Sequence, residues 1–465
     1  MTKYELYAIL TRVKKLKKGE SRLNFLKDDV KKLYFTLLAS SIGSTLVTNI
    51  YSTVDCVAIG HYAGPVGSAA ISCINPLWPL MLVLGIVSGI GGSVMMTNRR
   101  GAGRERDANE FFTLAMIISL IAASIVSVSF LLFMEPLLKF FGAEGKILEF
   151  ALEYARPIAV VSPTFTLCMT ASCFVRNDGE AILPTVATIA GGFFNIFGDV
   201  FFVFDFGLGL GALGAGLATA IGQVISFVMI MSYFFSKKCK LQLTKIKNPF
   251  QKSLLLSAIG ASAGITELSF FVNTVVFNKI IVKNLGDTNL AIYGAASTFL
   301  ALTYCFFYAV GSAAQPIIST NFGSGNPSRV KKTLIISLTT AISISLLFFA
   351  FSEIFPTLIV KIYMDTTEEV LSLAPKIMRT CFLGLFLASI SVLTSYYLQA
   401  LLKRGLASLV SSLRGIILPV LFAFALPAIF GYEGIWWAIP LSEFITATVC
   451  VILILLTSKT KNASK

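Results

Sequence analysis

The chain has 465 residues, of which 55% are hydrophobic and only 13% charged, and its mean hydropathy is +0.80. A soluble globular domain carries about 25% charged residues, so this composition excludes a large soluble protein and indicates a polytopic membrane protein. The net charge of +14 excludes little by itself. The basic residues gather in short segments between apolar runs, which is the positive-inside pattern and not a nucleic-acid footprint.

Residues 1–32 hold ten Lys and Arg, and the apolar run that follows is too long for the h-region of a cleavable signal. The segment reads as a basic cytoplasmic arm. Leu6, Ile9, Leu10, Val13 and Leu16 recur at helical spacing, which suits an amphipathic helix on anionic lipid, and a disordered arm is the alternative.

Twelve apolar runs follow, each long enough to cross a bilayer as a helix. They cover roughly 33–57, 66–97, 110–134, 151–175, 184–206 and 212–236. After a basic linker over 237–252 come 253–283, 289–318, 332–356, 375–400, 406–429 and 433–457, with a short tail at 458–465. Basic residues cluster in every second connection: Arg99 to Arg106, Arg176, Lys237 to Lys252, Arg329 to Lys332, Lys403-Arg404 and Lys459 to Lys465. That alternation predicts a multi-pass protein of the cell (inner) membrane with both termini cytoplasmic.

The halves resemble each other at an offset of 220–226 residues. Gly101-Ala-Gly103 matches Gly323-Ser-Gly325, each followed by basic residues. Gly211, Gly214, Ala218 and Gln223 match Gly431, Gly434, Ala438 and Glu443. Six helices per half predict an all-α fold of two six-helix bundles, 33–236 and 253–457, related by a pseudo-two-fold axis along the membrane normal, with binding sites between or within the lobes. The Gly-x-Gly pairs lack a following Gly-Lys-Ser/Thr, so they read as helix-ending turns and an ATPase is excluded.

Within the fifth run stands Asp199, with Asn195 one turn earlier and Thr188 and Gly192 on the same face. A carboxylate in hydrocarbon costs roughly 2.5–3.5 kcal/mol on insertion scales, so it is usually turned inward and used. Asp55 heads a comparable stripe in the first run, with Ser44, Thr48 and Ser52. If the two stripes face each other, their carboxylates cannot both easily ionise at close range in low dielectric. A shared proton, or a Na+ ringed by Asp55, Asn195 and Asp199, would relieve the repulsion. Glu267 lies mid-run between Gly260, Gly264 and Thr274 and is a candidate for a cationic substrate or a second coupling ion. Glu443 and Gln223 are further polar positions, and Arg414 and Arg379 are potential partners for the acids. For Asp199 and Glu267 the competing structural reading is helix–helix hydrogen bonding, and for Asp55, toward the outer end of its run, it is a side chain reaching the headgroups.

The eight cysteines are scattered without CxxC or metal-ligand spacing, so they read as small core residues. His61 is the only histidine, which excludes a histidine-based metal site or catalytic triad. No enzyme and no organic cofactor are expected.

The ordered set Tyr51-Ser-Thr-Val-Asp55 with Gly60, Gly101-x-Gly103, Asn195-x-x-x-Asp199, Thr266-Glu267 and Gly323-x-Gly325 resembles the multidrug and toxic compound extrusion (MATE) family over nearly the whole chain except residues 1–30. The resemblance implies a V-shaped pair of bundles alternating between inward and outward openings. It implies an amino-lobe cation or proton site at Asp55, Asn195 and Asp199, and a role for Glu267 in carboxy-lobe Na+ binding. The chain departs from the pattern at Val200, where proline is common, and in the tenth run, where the absence of any acid leaves a carboxy-lobe Na+ site incomplete. The expected activity is export of amphipathic organic cations or drugs against H+ or Na+ entry by a monomer in the lipid bilayer. A lipid-linked oligosaccharide flippase of the same superfamily is the alternative, disfavoured by the buried acids.

Overall fold

The computed structural model describes residues 23–364 and 366–459. The amphipathic arm expected before residue 23 and the end of the C-terminal tail lie outside the described residues. Twelve helices among them are long and apolar enough to cross a membrane. In chain order these are α1 (Val30–Gly64), α2 (Val66–Gly101), α3 (Glu105–Phe140), α4 (Gly145–Asn177), α5 (Ile182–Val203), α6 (Gly211–Phe235), α7 (Pro249–Leu285), α8 (Thr288–Gly323), α9 (Pro327–Ile354), α10 (Glu368–Ala400), α11 (Arg404–Phe430) and α12 (Tyr432–Thr457). A short helix, Pro356–Tyr363, joins α9 to α10. The chain is a multi-pass membrane protein with two six-helix lobes, α1–α6 and α7–α12.

The helices outrun the apolar runs that mark them, because a helix continues past the hydrocarbon wherever its ends can be capped. At the start of α1, Asp29 accepts the Lys31 and Lys32 backbone N–H groups at 2.9 and 3.2 Å. The bond from Lys32 is the largest of the influences that hold this carboxyl below its ordinary range. At the other end, no extended loop separates the first two apolar runs. The helix runs on to Gly64, whose φ of +58° breaks it sharply, and α2 begins at Val66. Only a residue without Cβ adopts that conformation cheaply. Farther on, α2 is itself interrupted at Asn75-Pro76. Inside the spans, hydroxyls that would be orphaned in lipid bond their own preceding turn, as Ser124 does to the Leu120 carbonyl at 2.9 Å. Phenylalanines at 193 and 197 on α5 face outward, where hydrocarbon would surround them.

The lobes meet along the halves of α2, α7 and α8 nearest the basic connections, through small residues that let backbones touch. A Cβ on Gly101 would stand 2.0 Å from the Thr320 carbonyl oxygen, and one on Gly323 would stand 2.0 Å from that of Asn98. The two contacts are images of each other under the internal repeat. Between them Thr97 donates to the Ser319 hydroxyl at 3.0 Å, and Ser319 donates to the Val94 carbonyl at 2.9 Å. Gly91 and Gly260 extend this seal against Leu256 and Val87. Gly103 and Gly325, with φ of +75° and +72°, form the turns that end α2 and α8. The chain ahead of α1 straps the same face. Arg329 donates to the carbonyls of Phe25 and Asp28 at 3.0 and 2.7 Å, and Asn321 donates to Phe25 at 3.0 Å. The linker between lobes lies along α3, where the backbone N–H groups of Thr244 and Lys247 reach Thr113 Oγ1 and Glu110 Oε2 at 3.0 and 2.7 Å.

Candidate cation and substrate site

Glycines on α5 decide how near its acid comes to the rest of the amino lobe. A Cβ at Gly191 would stand 2.4 Å from the Gly222 carbonyl of α6, one at Gly198 would stand 2.6 Å from Ala218 Cβ, and one at Gly192 would meet the Tyr51 ring of α1 at 2.8 Å. With no side chains in the way, α5 lies flush between α1 and α6. Asp199 is thereby fully buried beside Asp55, and the two carboxyls are within hydrogen-bonding reach of each other.

The polar groups around this pair are few and specific. Tyr154 of α4, itself buried, donates its phenolic O–H to Asp55 Oδ2 at 2.6 Å. Asn195 Nδ2 donates to Thr219 Oγ1 of α6 at 3.0 Å. The amide nitrogen is thus turned toward α6, and the amide oxygen is left free. Four buried oxygens have no partner: Asp55 Oδ1, Asn195 Oδ1, and both oxygens of Asp199. A bare, fully buried carboxylate without donors is costly, and in practice such a group takes up a proton or a cation. The residues suit either occupant: one proton between the carboxyls would relieve their repulsion, and a hard monovalent cation would find oxygen ligands on Asp55, Asn195 and Asp199.

The site opens sideways onto a cavity of about 740 Å³ between the lobes. Asp55, Asn195 and Thr219 line it, whereas Asp199 lies behind them. The stripes read from the sequence also face this space: Ser44, Thr48 and Ser52 on α1, Thr188 on α5, and Gln223 on α6, whose amide donates to the Thr164 carbonyl at 3.2 Å. Across the cavity stands Glu267 of α7, for which no ion pair or hydrogen bond exists among the described residues. Aromatic and Met side chains share the lining, with Tyr51, Trp78, Met169, Phe270, Tyr308 and Tyr396 among them.

Glu443 is placed differently from the other acids. It is buried outside the cavity lining and accepts Arg414 Nε at 2.9 Å and the Tyr304 hydroxyl at 3.3 Å. Arg414 lies in a π-helical turn, Leu413–Ile417, which breaks α11 and sets the guanidinium over the Tyr304 ring, 4.7 Å from its centroid. Such turns insert one residue and re-aim a side chain. Arg379 instead lies near Glu353 at 3.9 Å.

Tyr154 and Thr219 were missed from sequence. A tyrosine and a threonine in apolar runs have no spacing relation to an acid 99 residues away, so only helix packing reveals them.

The internal repeat has a counterpart in comparison with known proteins. A family model, MatE, matches residues 41–201 and 263–425, one segment in each lobe and well over half of the chain. The chain belongs to the MatE family. Among curated relatives, this MatE chain is 25% identical over 419 residues to multidrug export protein MepA of Staphylococcus haemolyticus strain JCSC1435, covering 90% of each chain. It is 24% identical over 446 residues to MepA of Staphylococcus aureus strain NCTC 8325 / PS 47, covering 94% of this chain and 96% of that one. A solved structure of an outward-facing multidrug resistance MATE family transporter of the MOP superfamily superposes with a TM-score of 0.86 at 21% identity, covering 94% of this chain and 99% of the other. A MOP superfamily transporter from Pyrococcus furiosus Vc1 superposes equally well at 20% identity. At those identities the solved structures establish the fold. The curated relatives bear the names of export proteins, not of enzymes.

Proposed function

We propose that this MatE protein is a secondary active multidrug exporter of amphipathic organic cations, driven by H+ or Na+ entry through alternating access. The observation that carries the reading is the set of four unpartnered buried oxygens on Asp55, Asn195 and Asp199 beside a large inter-lobe cavity. A site that must load and release an ion needs oxygens that no protein donor has claimed, and it needs a water-filled route, which the cavity supplies. The names of the MepA relatives support multidrug export.

In the mechanism that follows from this geometry, the carboxyl pair holds the coupling ion while the seal on the basic face is shut. Tyr154 fixes Asp55 by its hydrogen bond, so that the ion meets a carboxyl already positioned. Loss of the ion restores repulsion between Asp55 and Asp199, and that repulsion is relieved by moving α1 relative to α5. Those two helices line the cavity, so ion release and reshaping of the substrate space are the same motion. Glu267 holds the cationic end of the substrate, with Tyr51, Trp78 and Tyr396 offering ring faces for flat cations. The two lobes of one chain enclose the cavity, so a monomer in the bilayer suffices. The basic face is assigned to the cytoplasm of the cell (inner) membrane by its charge.

The test is dye efflux from proteoliposomes with pH and Na+ gradients imposed separately. Export driven by at least one gradient is expected, and export indifferent to both would remove the reading. Cysteine labelling of the 237–252 linker from only the cytoplasmic side of intact cells is the expected orientation, and labelling from outside would reverse it.

A further inference from the structure

Arg176 stands out among the arginines in contact with the cavity. In sequence it is one of the basic residues that assign sides. In the structure it ends α4 and lines the cavity floor nearest the basic face. Its Nη1 donates to Ser312 Oγ of α8 at 2.6 Å, and its Nε is buried without a partner. Among the described residues no carboxylate stands within ion-pair distance of it. The other cavity arginine, Arg414, is matched by Glu443, and Arg100, at the end of α2, is matched by Asp178 and Glu105.

A guanidinium has five donors in a fixed fork that suits a carboxylate bidentately. Here one neutral hydroxyl is its hydrogen-bond acceptor. The C-terminus of α4 gives some support to a cation, but it does not supply the second acceptor that the fork is built for. The surroundings favour an anion as well. Ser172, one turn earlier on α4, and Gln315, one turn after Ser312, line the same cavity, and neither carries charge. The Tyr396 ring packs on Gly311, next to Ser312, at 2.3 Å from where a Cβ would be, and the Tyr396 hydroxyl lies within electrostatic reach of both Arg176 and Glu267. The cavity lining therefore holds, around one aromatic ring, a cation and an anion that have no ion-pair partner among the described residues.

We propose that Arg176 is an anion anchor, and that the cavity takes amphipathic zwitterions whose carboxylate pairs with Arg176 while the cationic end meets Glu267. The inference rests on the export reading and names a specificity-determining residue for it. It also gives the Arg176–Ser312 contact a second consequence. A substrate carboxylate competes with Ser312 for the guanidinium, so a loaded zwitterion loosens one contact that ties the lobes together on the floor.

The test compares one rhodamine bearing a free carboxylate with its ethyl ester, in proteoliposomes containing the full chain. Wild type is expected to export both. Arg176→Gln is expected to cut export of the free acid by about tenfold relative to the ester. Arg176→Lys keeps the charge but not the fork, and should show a smaller loss of the same sign. It also serves where the glutamine variant does not fold. Ser312→Ala removes the inter-lobe bond and leaves the anchor, so the acid-to-ester ratio should stay at or above the wild-type value. Equal loss of both dyes in the Arg176 variants would make Arg176 a closure residue and overturn the proposal, as would an unchanged ratio. Export of the ester but not of the free acid by wild type would overturn the proposal, whereas failure of wild type to export both dyes would count against the export reading itself.

Discussion

The seal between the lobes offers a quantitative test, because two glycines set its closeness. Replacing Gly101 by Ala puts a methyl 2.0 Å from the Thr320 carbonyl oxygen, about 1.4 Å short of the 3.4 Å at which ordinary contact begins. The obstacle is backbone, so no side chain can rotate away, and the strain is relieved only by separating α2 from α8. Overpacking of this kind costs about 1–3 kcal/mol. If the separated arrangement is free of the clash, its population relative to the sealed one rises by about 5- to 150-fold. The repeat makes a second demand: Gly323→Ala meets the Asn98 carbonyl at the same 2.0 Å and must act in the same direction. Gly405, on the same face with open space around its missing Cβ, is the control. Spin labels at the exposed positions Arg104 and Ser328 report the distance across the seal in reconstituted membranes. Longer distances should gain population in both glycine variants and not in Gly405→Ala. A wild-type distance distribution in Gly101→Ala, together with wild-type efflux, would refute the claim that this contact holds the lobes closed.

Three further outcomes follow from the site. Asp199→Asn removes the exchangeable charge while nearly preserving volume, so it should abolish gradient-driven efflux with folding retained. Wild-type rates under both a proton and a sodium gradient would sink the ion-site assignment. Tyr154→Phe deletes the 2.6 Å donor to Asp55, a bond to a charged group of about 1.5–3 kcal/mol; it should slow coupled efflux at least tenfold at equal expression, and an unchanged rate would leave Tyr154 as packing. Glu267→Gln should weaken export of monovalent cationic dyes and spare thermal stability, because no partner is lost. Equal dye efflux in mutant and wild type would make Glu267 structural.

Much of this protein was legible from one-dimensional rules because the bilayer imposes them. Hydrocarbon forces each span to be a long apolar helix, and insertion distributes Lys and Arg by side, so twelve spans, two repeated halves and the turns after α2 and α8 could be read directly. The acids were legible for the same reason: a carboxylate in an apolar run is costly enough that its presence alone marks Asp55, Asp199 and Glu267. The partners of those acids could not be read. Tyr154, Thr219 and Ser312 are ordinary residues whose roles arise from which helix faces which, and that depends on backbone approach at Gly191, Gly198 and Gly101. The same holds for the acids' different fates. Glu443 and Glu267 look alike as lone carboxylates in apolar runs, yet a π-helical turn in α11 delivers Arg414 to the first and nothing to the second. Local sequence determines where a charge must be buried; only the packing of distant helices decides whether it is matched, and an unmatched charge is what remains free to bind an ion or a substrate.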